Sequence, residues 1–274
     1  MAKDIKEITE KLEQGVKEVF ESDSYKAYLD FMGKFYNYSV NNTILIWMQK
    51  PDASLVAGYQ TWQKKFKRQV RKGEKGITIL APCPHKFTKK IEDEEGNVEE
   101  KEIQYTSFRA TTVFDISQTD GDEIPRIPCN ELTGEVENFE ELLEKLKAVS
   151  PVPVSFEDIQ GGAKGYFHTV ENRIAILKGM SQQQTIKTLI HEISHAILHD
   201  RENGEEKDAN KGTKEVQAES VAYTVCSMLG LDTSDYSFGY VAGWSAGKEA
   251  KELNASMEVI RKTAKDIIES LRAA

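Results

Sequence analysis

His191 and His195 stand four residues apart in the run His191-Glu192-Ile193-Ser194-His195. On an α-helix that spacing puts both imidazoles on one face, one turn apart, able to grip a single ion. Glu192 can reach the open side of such an ion and accept a proton from water there. The chemistry needs a helix, and the flanking residues predict one over about 181–199. Ser181 is placed to cap it, and Ile186, Leu189, Ile190, Ile193, Ile197 and Leu198 form its apolar face. Two solvated histidines at this spacing are the bland alternative. The chain has only five histidines, however, and two of them fall in the pattern. His199 is expected to cap the helix end or to stay in solvent.

A catalytic site of this kind takes three protein ligands and leaves a fourth position open. Lys214-Glu215-Val216-Gln217-Ala218-Glu219-Ser220 offers two carboxylates, again four apart on a predicted helix (213–229). One can bind the ion while the other orients a ligand histidine from behind. We read Glu215 as the ligand and Glu219 as the orienting residue or alternative ligand. The expected cofactor is Zn2+, although a His2Glu donor set also accepts Mn2+ or Fe2+. Hydrolysis would further need a donor for the developing oxyanion; Tyr223, Tyr236, Tyr240 and His168 are open candidates.

A second kind of chemistry is written in residues 31–90. They hold twelve Lys or Arg against two acids, Asp52 and Glu74, in a chain whose formal net charge is -9. The cations cluster at Lys64, Lys65, Lys67, Arg68, Arg71, Lys72 and Lys75, with Trp47, Tyr59, Trp62 and Phe66 interleaved. Cations that track a phosphate backbone, with rings that stack on bases, make a single-strand binding surface. A solvated basic helix with its aromatics in the core would show the same composition.

Around these sites the hydrophobic periodicity predicts helices at about 4–20, 24–36, 39–50 and 59–71. Short strands follow at 77–80, 86–91 and 101–115, with Pro82 closing the first and the acidic run 92–97 as a solvated hairpin tip. Gly121, Pro125, Pro128 and Gly134 mark a linker. Beyond it come a helix at about 138–149, extended runs at 153–157 and 165–177, and helices at 181–199, 213–229 and 246–272. The fold class is α+β: an N-terminal helical and antiparallel-sheet domain (1–120), a linker (121–136) and a C-terminal metal-binding domain (137–274).

Cys83, Cys129 and Cys226 are isolated and odd in number, so they form neither a disulfide framework nor a cysteine-ligated metal site. The charged N-terminus has no signal-like apolar stretch, and no run approaches the length of a membrane span. A soluble, cytoplasmic protein with no membrane partner is expected.

Asn41-Asn42, Gln49-x-Pro51, Trp62, Val70, Lys72-Gly73-Glu74-Lys75-Gly76, Pro82 and Val113-Phe114-Asp115-Ile116-Ser117-Gln118-Thr119 together resemble the N-terminal domain of ArdC-type plasmid antirestriction proteins. The C-terminal half resembles zincin-like metallopeptidase domains of the ArdC and ImmA/IrrE type, through the His-Glu-x-x-His run and Glu215-Val216-Gln217-Ala218-Glu219. The resemblance implies a mobile-element protein that binds single-stranded DNA (ssDNA), carries a gluzincin-like zinc metallopeptidase site and protects incoming DNA from restriction. It also leaves two other readings. One is a site-specific metalloprotease whose protein substrate is a DNA-bound regulator; the other is a non-enzymatic DNA-binding protein braced by a structural metal.

Overall fold

The computed structural model describes residues 5–20, 22–92, 98–124, 138–202, 204–206, 208–233, 236 and 238–273, with side chains for all of these except 22, 23, 88–92 and 98–103. The elements begin with α1 (Ile5–Val19), α2 (Ser22–Lys34), α3 (Val40–Gln49), β1 (Val56–Gly58), α4 (Tyr59–Lys64), β2 (Arg68–Val70), β3 (Ile77–Glu92), β4 (Val98–Asp115) and β5 (Thr119–Gly121). They continue with α5 (Phe139–Val149), β6 (Val154–Glu157), β7 (Gly165–His168), β8 (Arg173–Leu177), α6 (Gln182–His199), α7 (Lys211–Met228), α8 (Val241–Ser245) and α9 (Ala250–Ala273). The fold is α+β, in two compact units. One comprises Met1–Leu12 and Leu45–Asp122, the other Glu13–Ile44 and Glu123–Ala274. Most of the expected linker, and the hairpin tip at 93–97, lie outside the described residues. Among the described residues no helix is long and apolar enough to cross a membrane.

In the first unit β4 pairs with both β1 and β3, antiparallel throughout. The separate strands expected at 77–80 and 86–91 are one strand, paired with β4 from Ile77↔Val113 to Glu92↔Val98. Pro82 does not end it, because β3 is an edge strand. Every second N–H of an edge strand points away from its partner, and Pro82 and Pro84, two apart, can share that parity without losing a ladder bond.

The helix expected over 59–71 stops at Lys64. Trp62, Phe66 and Val70 recur at a helical interval, but Lys67 adopts a left-handed φ of 52° and the chain turns into β2, antiparallel to β5. Arg68 fixes that turn, giving hydrogen bonds to Thr119 Oγ1 (2.7 Å), Thr119 O (2.8 Å) and the carbonyls of Gly121 and Asp122. The core beneath includes Trp62, Ile77, Ile79 and Val113, and the Trp62 indole donates to Phe114 O at 2.8 Å.

In the second unit β8 lies between β6, parallel to it, and β7, antiparallel. The single extended run expected over 165–177 is thus a hairpin, turning with Asn172 at φ 50°. Helix α6 packs on this sheet, and its Ile186, Leu189, Ile190 and Ile193 are fully buried. Gly165 lets β7 come close: a Cβ there would sit 2.7 Å from Thr188 Cγ2 of α6. On its other side α6 meets α7, and α7 meets α2 and α9. Polar contacts pin α2 to α7: Tyr25 Oη to Ser220 Oγ, Tyr223 Oη to Asp30 Oδ2 and Ser227 Oγ to Asp30 Oδ1, each 2.7 Å.

Candidate metal centre

Helix α6 begins as expected, with Ser181 Oγ accepting from Gln184 N–H at 3.2 Å. Its burial against sheet and bundle leaves one face of three histidines, 191, 195 and 199, looking toward α7. The Nε2 atoms of His191 and His195 approach to 3.1 Å. Glu215 Oε2, from the first turns of α7, lies 3.8 Å from His191 Nε2 and 3.9 Å from His195 Nε2. Three donors bound to one tetrahedral ion at about 2.0–2.1 Å stand roughly 3.3 Å apart. Two imidazole nitrogens and a carboxylate oxygen so grouped fit a divalent ion of the borderline kind.

Behind the donors each histidine has a partner. His191 Nδ1 has Glu219 Oε2 at 3.1 Å, close enough for an ion pair although the angle is poor for a hydrogen bond. His195 Nδ1 meets His199 Nδ1 at 2.9 Å, and His199 Nε2 meets Gln217 Oε1 at 3.0 Å. The Gln217 amide nitrogen is directed to Ser256 Oγ at 3.4 Å. With that amide orientation His199 donates from Nε2 and accepts at Nδ1. His195 then donates from Nδ1 and keeps the lone pair of Nε2 for an ion.

His199 is therefore not a solvated cap: its two ring nitrogens meet His195 and Gln217. It is 4% exposed and serves His195. The spacing 191–195–199 hints at this, but Gln217 comes from another helix and no local pattern reveals it.

Charge follows the geometry. Burial pulls the His191 pKa down, but the Glu219 contact and the charges of Glu192, Glu219 and Glu215 outweigh it and hold it above the usual value. Burial and the charges of His191, His199 and Lys214 push His195 down to about 3, its neutral, ligating form. Burial likewise takes His199 down to about 4, against the Gln217 hydrogen bond. Glu192 is 8% exposed, and burial raises its pKa even though His191 and the Phe167 backbone N–H favour its anion. A carboxylate made more basic, at the wall of an open cavity of about 580 Å3 that His191, His195 and Glu215 also line, is suited to accept a proton.

The four oxyanion candidates separate. Tyr223 is tied to Asp30 and Tyr236 donates to Cys226 Sγ at 3.7 Å; both are buried. His168 Nδ1 accepts from Glu171 N–H at 3.0 Å. Tyr240 is 46% exposed; burial, then the charges of Glu219 and Glu215, raise its phenol pKa. Tyr166 of β7 lines the cavity and was not visible as a site residue in the sequence.

The residues expected to bind DNA divide as well. Lys64, Lys65, Lys67, Lys72 and Lys75 are exposed, as is Tyr59. Trp62 is a correction: fully buried, it offers no face to a base. Phe66 packs on it at 5.0 Å and is half-buried, as is Trp47. Arg68 is committed to backbone carbonyls, and Arg71 to Glu74, Asp120 and the Ser117 carbonyl.

Residues 2–114 match the family model of the N-terminal domain of anti-restriction factor ArdC, and residues 149–265 match that of the IrrE N-terminal-like domain. An uncharacterized Bacillus anthracis protein, pXO2-81, is 28% identical over 97% of this chain, which spans about half (51%) of that relative's length. The fold is shared with crystal structures of the antirestriction ArdC protein from plasmid R388. The metal-free form has a TM-score of 0.54 at 21% identity, covering 86% of both chains; the Mn(II)-bound form has 0.53 at 21%, covering 85% of both.

Proposed function

From the premise that this is an ArdC-type protein with a zincin-like second unit, we propose that it protects incoming DNA from restriction. In this reading the first unit binds ssDNA, and the second holds one divalent ion through His191, His195 and Glu215. The observation that carries the metal half is the convergence of those three donor atoms within 4.8 Å of one another. Bound there, the ion supplies Lewis acidity toward a carbonyl and toward water. Glu192 accepts the proton, and His199 and Glu219 keep the two imidazoles oriented. Zn2+ is our first choice, and the Mn(II) form of the R388 protein supports testing Mn2+ beside it.

Peptide hydrolysis of a DNA-bound regulator is the second reading, favoured by the IrrE-like match and by the open cavity beside the donors. A purely structural metal is less well supported, because such sites are closed by four protein ligands. Metal analysis of the full chain, with Zn2+ or Mn2+, should give about one ion per chain. His191→Ala should lose it, while Glu192→Gln should keep it. Retention of metal by His191→Ala would overturn the assigned centre. Plasmid transfer into a restricting host then separates the readings. Protection that survives Glu192→Gln makes catalysis dispensable; protection that is lost puts hydrolysis at the heart of the function.

A further inference from the structure

Three aromatic side chains that no part of the foregoing uses sit together on the β3–β4 ribbon. His85 and Tyr105 face each other across the ladder, their rings stacked at 4.8 Å with 17° between planes. Phe87 meets Tyr105 edge-on at 6.0 Å. All three are exposed, Phe87 by 46% and Tyr105 by 52%. His85 Nε2 lies 2.7 Å from Ser107 Oγ, which holds the ring in place. From Pro82 to Phe87 and from Gln104 to Arg109 no residue of the ribbon is buried, so these rings pack no core. Exposed rings in a cluster, rather than scattered, mark a binding surface.

The strand positions say what would bind. On the parity of His85 and Phe87 the cross-strand pairs are Ala81–Arg109, Cys83–Ser107, His85–Tyr105, Phe87–Ile103 and Lys89–Lys101. These positions hold three cations and the three rings, and the one acid of this parity is Glu99, paired with Ile91 at the far end of the ladder. The other acids of the ladder, Glu92, Glu100 and Glu102, stand on the opposite parity, together with Lys86, Lys90 and Phe108. Period-2 alternation therefore leaves the ring positions with an excess of cations, three against one acid, and the opposite set with an excess of acids, three against two cations. Flat rings exposed among cations are what a single-stranded nucleic acid uses: bases stack on the rings, and phosphates meet the cations. A duplex keeps its base faces covered and cannot use them.

We infer that the His85–Phe87–Tyr105 face of the β3–β4 ribbon is the base-stacking platform for single-stranded DNA. The inference rests on the proposed ssDNA binding by the first unit and supplies the rings that buried Trp62 cannot. The exposed lysines at 64, 65, 67, 72 and 75 remain as phosphate contacts.

The test titrates full-length protein into fluorescein-labelled oligothymidylate and into a duplex, at two salt concentrations, following anisotropy. Tyr105→Thr and Phe87→Thr keep strand propensity and remove the ring. Each should weaken single-strand binding roughly five- to 150-fold, the loss of about one stacked base. The salt slope should not change, because no phosphate contact is removed. Tyr105→Trp should bind at least as tightly, with its fluorescence quenched by the oligonucleotide, and melting curves should show all variants folded. Wild-type binding that both threonine variants match would overturn the platform while leaving ssDNA binding intact. Equal losses on single strands and duplex would overturn stacking. Absence of wild-type binding would overturn the ssDNA reading and this inference with it.

Discussion

The tautomer of His195 is decided two side chains away from the ion's position. Gln217 fixes His199, His199 fixes His195, and only then does His195 Nε2 present a lone pair beside His191 Nε2. Partners of this kind behind metal-binding histidines are worth about 10- to 100-fold in metal affinity. Competition titration should show a loss of that size for His199→Ala, smaller for Gln217→Leu, with the fold intact by circular dichroism. Unchanged affinity in folded His199→Ala would remove the relay from the account. The same histidines give the metal-free protein a pH dependence. His195 and His199 are depressed to about 3 and about 4, so below the ordinary histidine pKa of about 6.5 the unfolded chain binds protons that the folded one refuses. Stability they contribute is complete above that value and is lost as pH falls toward 4. His191, raised, acts in the opposite sense but is one group against two. The melting temperature of the second unit should therefore fall between pH 7 and pH 5; a flat profile would contradict the buried neutral pair. The cluster of three donors was legible in the sequence because i,i+4 spacing on two helices is a local signal. The His199–Gln217 contact was not, because it joins two helices, and neither was the burial of Trp62, because composition does not say which rings face inward.

At the scale of elements, the motif around Asp115 turns out to be a structural joint. Its carboxylate accepts from the backbone N–H groups of Ser54 (2.8 Å), Leu55 (3.0 Å) and Ser117 (2.9 Å). Gln118 completes a capping box, accepting from Asp115 N–H and donating to Lys75 O, both at 2.9 Å. One short turn thus ties the end of β4 to the chain before β1 and to the Lys72–Gly76 turn. Burial alone would raise the Asp115 pKa, but the hydrogen bonds outweigh it and lower it. Asp115→Ala leaves three backbone donors, at Ser54, Leu55 and Ser117, without their acceptor and should destabilise the first unit by about 1–3 kcal/mol. Urea unfolding followed by Trp62 fluorescence would show it as a lower midpoint at unchanged slope; an unshifted midpoint would mean that water replaces the carboxylate. The motif's residues were visible in the sequence, but their work was not: hydrogen bonds to residues some sixty positions away leave no periodic trace. Helix α4 makes the same point in reverse. Trp62, Phe66 and Val70 fit a helical interval, and the tertiary pairing of β2 with β5 overrode it.

At the scale of the molecule, the first unit interrupts the second in sequence: residues 45–122 stand between Glu13–Ile44 and Glu123–Ala274. A boundary placed at 121–136 marks one crossing; those at Leu12/Glu13 and Ile44/Leu45 fall inside α1 and α3, where composition and periodicity are continuous and nothing local announces them. The consequence is that residues 137–274 are not the whole of the unit that carries the candidate metal centre. They lack α2, whose Tyr25, Tyr28, Leu29, Phe31 and Met32 are buried in it. Five such side chains are worth on the order of 10 kcal/mol of burial, comparable with the entire stability of a domain. Removing α2 also strips Asp30 from Tyr223 and Ser227, and Tyr25 from Ser220, on the helix that carries Glu215 and Gln217. A fragment of residues 137–274 should thus melt without cooperativity, bind a dye for exposed apolar surface and fail to take up metal stoichiometrically. A chain in which a flexible Gly/Ser linker joins residues 13–44 to 123–274 should recover all three properties. Stoichiometric, cooperative metal binding by residues 137–274 alone would mean that α2 is an accessory layer. Recovery only in the rejoined chain would mean that the candidate metal centre depends on the N-terminal helices.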